Sequence, residues 1–311
     1  MQSFLGWIGG KSALRNAILN RFPDKVGRYI EVFGGAGWVL FGRDPVPGQM
    51  EVFNDADGEL INIYRCVKYH PEALQKELDG LPDSREVFFD YAAQEHIRGM
   101  TDIQRAARSL YLIKISFGSD RKTFATAPKI ASNISASFSA VQERLRKVII
   151  ENLDFEHLIH TYDRPDALFY CDPPYIGTES YYRAPFTTDD HVRLANVLHN
   201  IKGRFLLSYN DCPLVHDLYG DCQMNLSQGS ISCQRRGRPS TKSYWFVTIY
   251  NPWRYFPTKA RRHKAPCATL VRKGRFDDQK SFVAYPRRQA LDASKVGRRD
   301  WYTAHNDQPS L

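Results

Sequence analysis

Apolar and polar positions in this chain follow two rhythms. In "GRYIEVFGGAGWVLFG", residues 27–42, a short apolar run reads as a strand, a glycine turn follows, and apolar residues return at helical spacing. "MEVFNDADGELINIYRCV", residues 50–67, repeats the scheme as a second strand and a second helix. That is a βαβ pattern, the unit of a parallel sheet. Residues from about 70 to 147 read mainly helical, as in "HPEALQKELDGL" and "IQRAARSLYLIKISF", until the polar stretch "GSDRKTFATAPKIASNISASFS" breaks the pattern. A long Ser-, Thr- and Lys-rich stretch inside a domain marks a functional loop. From "RKVIIENLDFEHLI" to "VTIYN" strand and helix signals alternate again, with "RFLLSYND" and "SYWFVTIYN" the clearest strands. Beyond Trp253 the apolar periodicity fades, and no internal repeat is present. The pattern predicts an α/β chain whose sheet material is interrupted by a helical insert and followed by a weakly patterned tail.

Composition narrows the class. A chain of 311 residues buries a full core, as one large domain with an insertion or as two domains. Hydrophobic residues at 42% and charged residues at 25% are ordinary for a soluble globular protein. The amino terminus lacks a basic segment ahead of an apolar one, and no run approaches the roughly 18 apolar residues of a membrane span. The expectation is a cytoplasmic protein without a membrane partner. The six cysteines form no CxxC pair and no repeated spacing, so reduced, scattered thiols are expected rather than a disulfide framework or a zinc cluster.

Charge is unevenly placed. Residues 254–311 hold 14 Lys and Arg against 5 Asp and Glu, a net of +9, which leaves 29 of each sign in residues 1–253. The body must therefore meet any polyanion through local clusters such as Arg121 with Lys122, or Arg235, Arg236, Arg238 and Lys242.

Candidate chemistry gathers at strand ends. Gly34, Gly35 and Gly37 follow a strand and open a helix, where a chain turns tightly and its backbone approaches a ligand closely. The spacing is not GxGxxG, which disfavours a dinucleotide pyrophosphate. About twenty residues on, Asp55 ends the next strand, where a carboxylate accepts from ribose hydroxyls, or else caps the helix that follows. Lys11 stands after a Gly-Gly pair and could pair with a carboxylate.

In "FYCDPPYIG", Pro173 stops an apolar strand, which puts residues 172–175 at the carboxyl edge of a sheet. An amino group conjugated to a heteroaromatic ring is a poor nucleophile, because its lone pair is delocalised. If the Asp172 carboxylate and the Pro173 carbonyl both accept from that amine, the lone pair turns toward an electrophile, and Tyr175 offers a face for stacking the base. A base in a duplex reaches such a pocket only by flipping out. A plain turn, with Asp172 capping and Tyr175 packing, is the alternative for this tetrapeptide taken alone.

Five stretches in order resolve the ambiguity: "GWIGGK" at 6–11, "EVFGGAG" at 31–37, "FNDADGELINIY" at 53–64, "NLDF" at 152–155 and "DPPY" at 172–175. Together they resemble the Dam-type, D12 class of DNA adenine methyltransferases over roughly residues 1–253. The resemblance implies a class I, Rossmann-like sheet dependent on S-adenosylmethionine, with a mainly helical target-recognition domain inserted in it. The catalytic domain would be residues 1–69 and 148–253, and the recognition insert 70–147. Residues 254–311 would be a basic extension, either a nonspecific DNA-binding arm or a disordered end.

The resemblance also assigns roles. Trp7, Gly10 and Lys11 would line the methionine end of the cofactor, with Glu31, Phe33, Gly34 and Gly37 around its middle. Asp55 would meet the ribose hydroxyls, and Asp154 and Phe155 the adenine ring. Asp172, Pro173, Pro174 and Tyr175 would hold a flipped adenine for methylation at N6. Lys114, Arg121, Lys122, Arg235, Arg236 and Arg238 would contact double-stranded DNA. No metal is implied, and a monomer is expected. "LLSYND" at 206–211 resembles a later strand flanking the target pocket, and "CQRRGRPSTKSYWF" at 233–246 the loop before a last hairpin; an ordinary buried strand and a solvated hairpin are the alternatives.

Where relatives specific for GATC carry an Asn-Arg pair after "YL", this chain has Ile113 and Lys114, which puts that specificity in question. Transfer to cytosine N4 needs the same amine polarisation and stays open at this point, as does a DNA-binding protein without catalysis. The intact Asp55 and Asp172 argue against the latter.

Overall fold

The computed structural model describes residues 1–251 except 8, 24, 95–96, 126–136 and 236–237, with the backbone alone for 227–235 and 238–246. Seven strands form one sheet: β1 (Arg28–Glu31), β2 (Met50–Asn54), β3 (Val148–Glu151), β4 (Ala167–Cys171), β5 (Arg204–Asn210), β6 (Gln223–Arg235) and β7 (Arg238–Tyr250). Their order is β3-β2-β1-β4-β5-β7-β6. The first five are parallel neighbours, and β7 runs antiparallel to both β5 and β6. This is the class I methyltransferase arrangement expected from the sequence.

Alternation along the strands explains why both faces are covered. Tyr29, Phe53, Leu168, Tyr170 and Leu206 enter one apolar cluster, while Ile30, Val52, Phe169, Cys171, Phe205 and Leu207 enter the other. Side chains of period two, all apolar, leave no face for water. The first cluster lies under α1 (Arg15–Leu19), α2 (Trp38–Gly42) and α3 (Gly58–Tyr69). It also takes in the helices between β2 and β3 that follow α3: α4 (Pro71–Asp79), α5 (Arg85–Ala93), α6 (Asp102–Ile115) and α7 (Phe138–Leu145). The second lies under α8 (Phe155–Tyr162), α9 (Thr188–Asn200) and α10 (Pro213–Tyr219).

The helices of residues 70–147 thus share a core with the sheet. Leu74, Leu78, Phe88, Leu110 and Val141 are all within 1% of full burial and pack in the same cluster as Tyr64. Arg144 of α7 donates to both oxygens of Glu51 on β2, at 2.6 and 2.9 Å, and Arg43 donates to the same carboxylate at 3.1 Å. A buried acid with two guanidinium partners ties the insert to the second strand.

The helix starts are capped as their sequences demand. Thr101 with Gln104 and Thr187 with Asp190 form capping boxes, and Asp57 and Asp154 accept amides at the first turns of α3 and α8. In the basic stretch at 233–246, which resembled a loop before the last hairpin with a solvated hairpin as the alternative, residues 233–235 end β6 and 238–246 begin β7, with Arg235 opposite Arg238. No helix among the described residues is long and apolar enough to cross a membrane. Residues 254–311 lie outside the described residues.

Candidate active site

The sheet order places the site. The chain moves outward from β1 through β2 to β3, then returns to build β4 and β5 on the other side of β1. The carboxyl ends of β1 and β4 are therefore adjacent, with connections that leave in opposite directions, and a crevice opens between them. Residues 32–37 leave β1 there and residues 172–175 leave β4 there. A cleft of about 970 Å³, its open mouth included, runs along this edge.

Asp172 sits where β4 stops. Its Oδ2 lies 2.7 Å from Lys11 Nζ, and its Oδ1 accepts from the buried Ser208 hydroxyl at 2.7 Å. Lys11 also donates to the Gly9 carbonyl at 3.0 Å, and its ammonium stands 4.7 Å from the centre of the Tyr175 ring. Burial opposes the charge of Lys11, yet Asp172 and Tyr175 outweigh it and hold the ammonium above the ordinary lysine range. Each Asp172 oxygen keeps a free lone pair after these bonds, so the carboxylate can still accept from a ligand. Pro173 and Pro174 are buried, and Asn210 exchanges hydrogen bonds with the Ile176 backbone at 3.1 and 3.2 Å. The tetrapeptide is therefore clamped on both sides.

The glycine turn after β1 is shaped by contacts. A Cβ on Gly34 would stand 2.3 Å from the Phe53 ring and 2.9 Å from the Asn54 carbonyl, and Gly37 caps α2 at φ +66°. Gly35, at φ +50°, donates its amide to Asp55 Oδ2 at 2.8 Å, while Asp55 Oδ1 accepts from the Asp57 amide at 2.8 Å. The cap of α3 is Asp57, which leaves Asp55 facing the cleft. Burial pushes the Asp55 carboxyl up to about 6, against the pull of the two amides. Glu31, the last residue of β1, accepts from the Tyr29 hydroxyl at 2.7 Å, and burial pushes its carboxyl up to about 8. Trp7 and Gly10 complete this wall, with Trp38 so close that a Cβ on Gly10 would meet its indole nitrogen at 2.8 Å.

At the far end Phe33, Phe155 and Phe186 stand mutually 5.8 Å apart. Arg193 closes over them, 4.2 Å from the centre of Phe155, and pairs with Asp154 through 2.8 and 3.1 Å bonds and with Asp190 at 2.9 Å. The carboxylates Asp55, Asp57, Asp154, Asp172 and Asp190 outnumber the cations Lys11, Arg183 and Arg193 along the cleft. Such a lining suits a flat, positively charged ligand and opposes a polyphosphate.

The site residues expected from the sequence fall as follows. Trp7, Gly10, Lys11, Glu31, Phe33, Gly34, Asp55, Asp154, Phe155, Asp172 and Pro174 line the one cleft. Gly37 shapes its turn; Pro173 and Tyr175 are not among the lining residues, Pro173 being buried and the Tyr175 ring lying 4.7 Å from the Lys11 ammonium. Ile113 is fully buried, so it touches no solute from this position. Lys114 is half-buried in the last turn of α6, and Lys122 is exposed. Arg121 is mostly covered: its guanidinium pairs with Asp57 at 3.2 Å and lies 5.0 Å over the Trp7 ring. Arg236 and the side chains of Arg235 and Arg238 lie outside the described residues. Sequence reasoning missed Tyr182, Phe186 and Arg193 as site residues, and reached Ser208 only within the 206–211 stretch that resembled a strand flanking the target pocket. The aromatic residues in "SYYRAPF" and the arginine in "TDDHVR" were signals at hand, since both follow residues 172–175 closely.

Known proteins complete the picture. Residues 7–230 match the D12 class N6 adenine-specific DNA methyltransferase family. The chain is 30% identical over 248 residues to the type II methyltransferase M1.LlaDCHI of Lactococcus lactis subsp. cremoris, across 71% of this chain and 85% of that protein. It is 26% identical over 243 residues to the retron Ec67 DNA adenine methylase of Escherichia coli, across 70% and 81%. It is 27% identical over 269 residues to the DNA adenine methylase of Haemophilus influenzae, across 79% and 93%. The chain therefore belongs to the D12 class N6 adenine-specific DNA methyltransferases, and is an S-adenosylmethionine-dependent enzyme acting on adenine in DNA.

Proposed function

We propose that Asp172, Pro173, Pro174 and Tyr175 hold an adenine flipped out of double-stranded DNA and turn its N6 amine into a nucleophile. The observation that carries this reading is the Asp172 carboxylate, fixed by Lys11 and Ser208 at the switch point of the sheet and opening on the same cleft as Asp55. Asp172 and the Pro173 carbonyl accept hydrogen bonds from the two N–H groups of the amine and localise the lone pair on nitrogen, and the Tyr175 ring supports the base. Lys11 supplies the counter-charge to the carboxylate in a site partly shut from water.

Trp7, Gly10, Lys11, Glu31, Phe33, Gly34, Gly37, Asp55, Asp154 and Phe155 are the residues proposed to hold S-adenosylmethionine. The fit rests on the acidic lining, the aromatic group around Phe155 and the glycines whose side-chain space is already taken. When bound, the cofactor supplies a methyl group on a sulfonium. Asp55, bonded to two amides, accepts from a diol, and Phe33, Phe155 and Phe186 enclose a flat ring.

The helices of 70–147 and their loop are proposed to read the target, with Lys114 and Lys122 and the hairpin arginines 235, 236 and 238 on phosphates. The similarity to a type II methyltransferase supports a modification role beside a nuclease, and a soluble, cytoplasmic monomer suits that role. Tritiated S-adenosylmethionine with plasmid DNA tests the reading. Label in 6-methyladenine, lost in Asp172→Ala, is expected; label in 4-methylcytosine, or wild-type transfer by the variant, overturns it.

A further inference from the structure

We propose that His199, Asp221 and Cys222 form a binding site for a thiophilic divalent cation of the zinc class, at the end of the sheet opposite the methyl-transfer cleft. His199 lies in the last turn of α9, and Asp221 and Cys222 in the turn between α10 and β6. α9 starts beside the cleft at Asp190 and runs to the edge where β5 begins, so its end stands away from the chemistry.

The ligand atoms already converge. His199 Nε2 is 2.9 Å from Asp221 Oδ1 and 3.8 Å from Cys222 Sγ, and Sγ is 3.7 Å from the same carboxylate oxygen. A tetrahedral zinc with ordinary bond lengths spaces its nitrogen, oxygen and sulfur ligands about 3.3 to 3.6 Å apart. Closing these distances onto one ion takes shifts of a few tenths of an ångström, within reach of side chains on an accessible turn.

The histidine is oriented for ligation. Its Nδ1 donates to the Ala195 carbonyl at 2.7 Å, and its ring stacks on the buried Tyr219 at 5.7 Å with a 19° tilt. A backbone carbonyl on one ring nitrogen is the outer-shell device that aims the other at a metal. The imidazole is 30% exposed and the carboxylate 71%, so an ion enters from solvent and water fills the remaining position. One nitrogen, one oxygen and one thiolate select a borderline-soft ion over magnesium or calcium. Coordination uses the Nε2 lone pair and replaces the thiol proton, which passes to water. The bound ion ties the end of α9 to the turn that precedes β6. The site has no short-range signature, because His199 meets Asp221 and Cys222 only through the fold, and this is why cysteine spacing pointed away from a metal.

The test uses the full chain, stripped with chelator and titrated with Co²⁺ as a spectroscopic probe. One equivalent is expected to bind with a thiolate-to-cobalt charge-transfer band, absent in Cys222→Ser with the other cysteines intact. His199→Gln is expected to weaken binding by more than the roughly tenfold that follows loss of an outer-shell partner. Zn²⁺ is expected to bleach the band and raise the melting temperature of the wild type but not of either variant. No band in the wild type, or a band that survives Cys222→Ser, overturns the site; so does a zinc-induced rise in melting temperature that both folded variants share.

Discussion

Lys11 and Asp172, from the amino-terminal loop and the end of the fourth strand, meet at 2.7 Å with side chains only 8% and 16% exposed. Two opposite charges removed from water are a costly arrangement unless each finishes the other's bonding. Breaking the pair leaves one charge without its counter-ion in a site built around both.

Replacing Lys11 with Met is therefore expected to destabilise the protein by about 3 kcal/mol, and to lower kcat by at least about 100-fold. Asp172→Asn keeps the shape and the Ser208 contact but loses the charge. It should reduce kcat to a similar degree, while the cofactor dissociation constant stays within a few-fold of wild type. Chemical denaturation, single-turnover methylation and calorimetric cofactor binding separate these effects.

Asp55 should make cofactor binding pH-dependent. Its carboxyl, pushed up to about 6, must be ionised to accept from a diol, so affinity should fall by about tenfold per pH unit below 6. Asp55→Asn should bind at least tenfold more weakly at pH 8 and lose that dependence. Calorimetry at pH 5, 6, 7 and 8 provides the check; a wild-type affinity flat across the series would remove Asp55 from the ligand.

Glu31 should act through stability. Its carboxyl is raised from the ordinary glutamate range to about 8, so between those values the folded chain holds a proton that the unfolded chain has lost. Folding is then favoured on the acid side, and that contribution is lost as pH rises through 8. Glu31→Gln, which mimics the protonated acid, should melt near the wild type at pH 5 and above it at pH 9. Melting curves across this range decide the matter.

Arg121 and Lys122 should part company despite their adjacency. Arg121 is occupied by Asp57 and Trp7, so Arg121→Ala is expected to weaken the cofactor and leave the salt dependence of DNA binding intact. Lys122, exposed beside it, should on substitution with Ala reduce that salt slope by about 1. Equal slopes for both variants would assign the two residues the same role.

The parts of this site that were legible in the sequence are those set by local chemistry. A glycine turn after an apolar run and two prolines at a strand end announce themselves, because the backbone leaves those positions few options. The partners of these residues were not legible. Asp57, not Asp55, caps the helix after β2, a choice between neighbours that only the turn geometry makes. Ser208 meets Asp172 because β5 lies beside β4, and Arg193 reaches Asp154 across two helices. The basic part of 233–246 resembled a loop because its polar residues hide the alternation of a strand, while the backbone of 238–246 pairs with β6.

The seventh strand lies between the fifth and the sixth, antiparallel to both. Ser208, which holds Asp172, sits on β5 opposite Thr248. Until residues 238–250 have left the ribosome, β5 is an open edge, and the strand that steadies Asp172 has no outer neighbour. The outer support of the strand that carries Ser208 thus comes from the last-synthesised of the described residues.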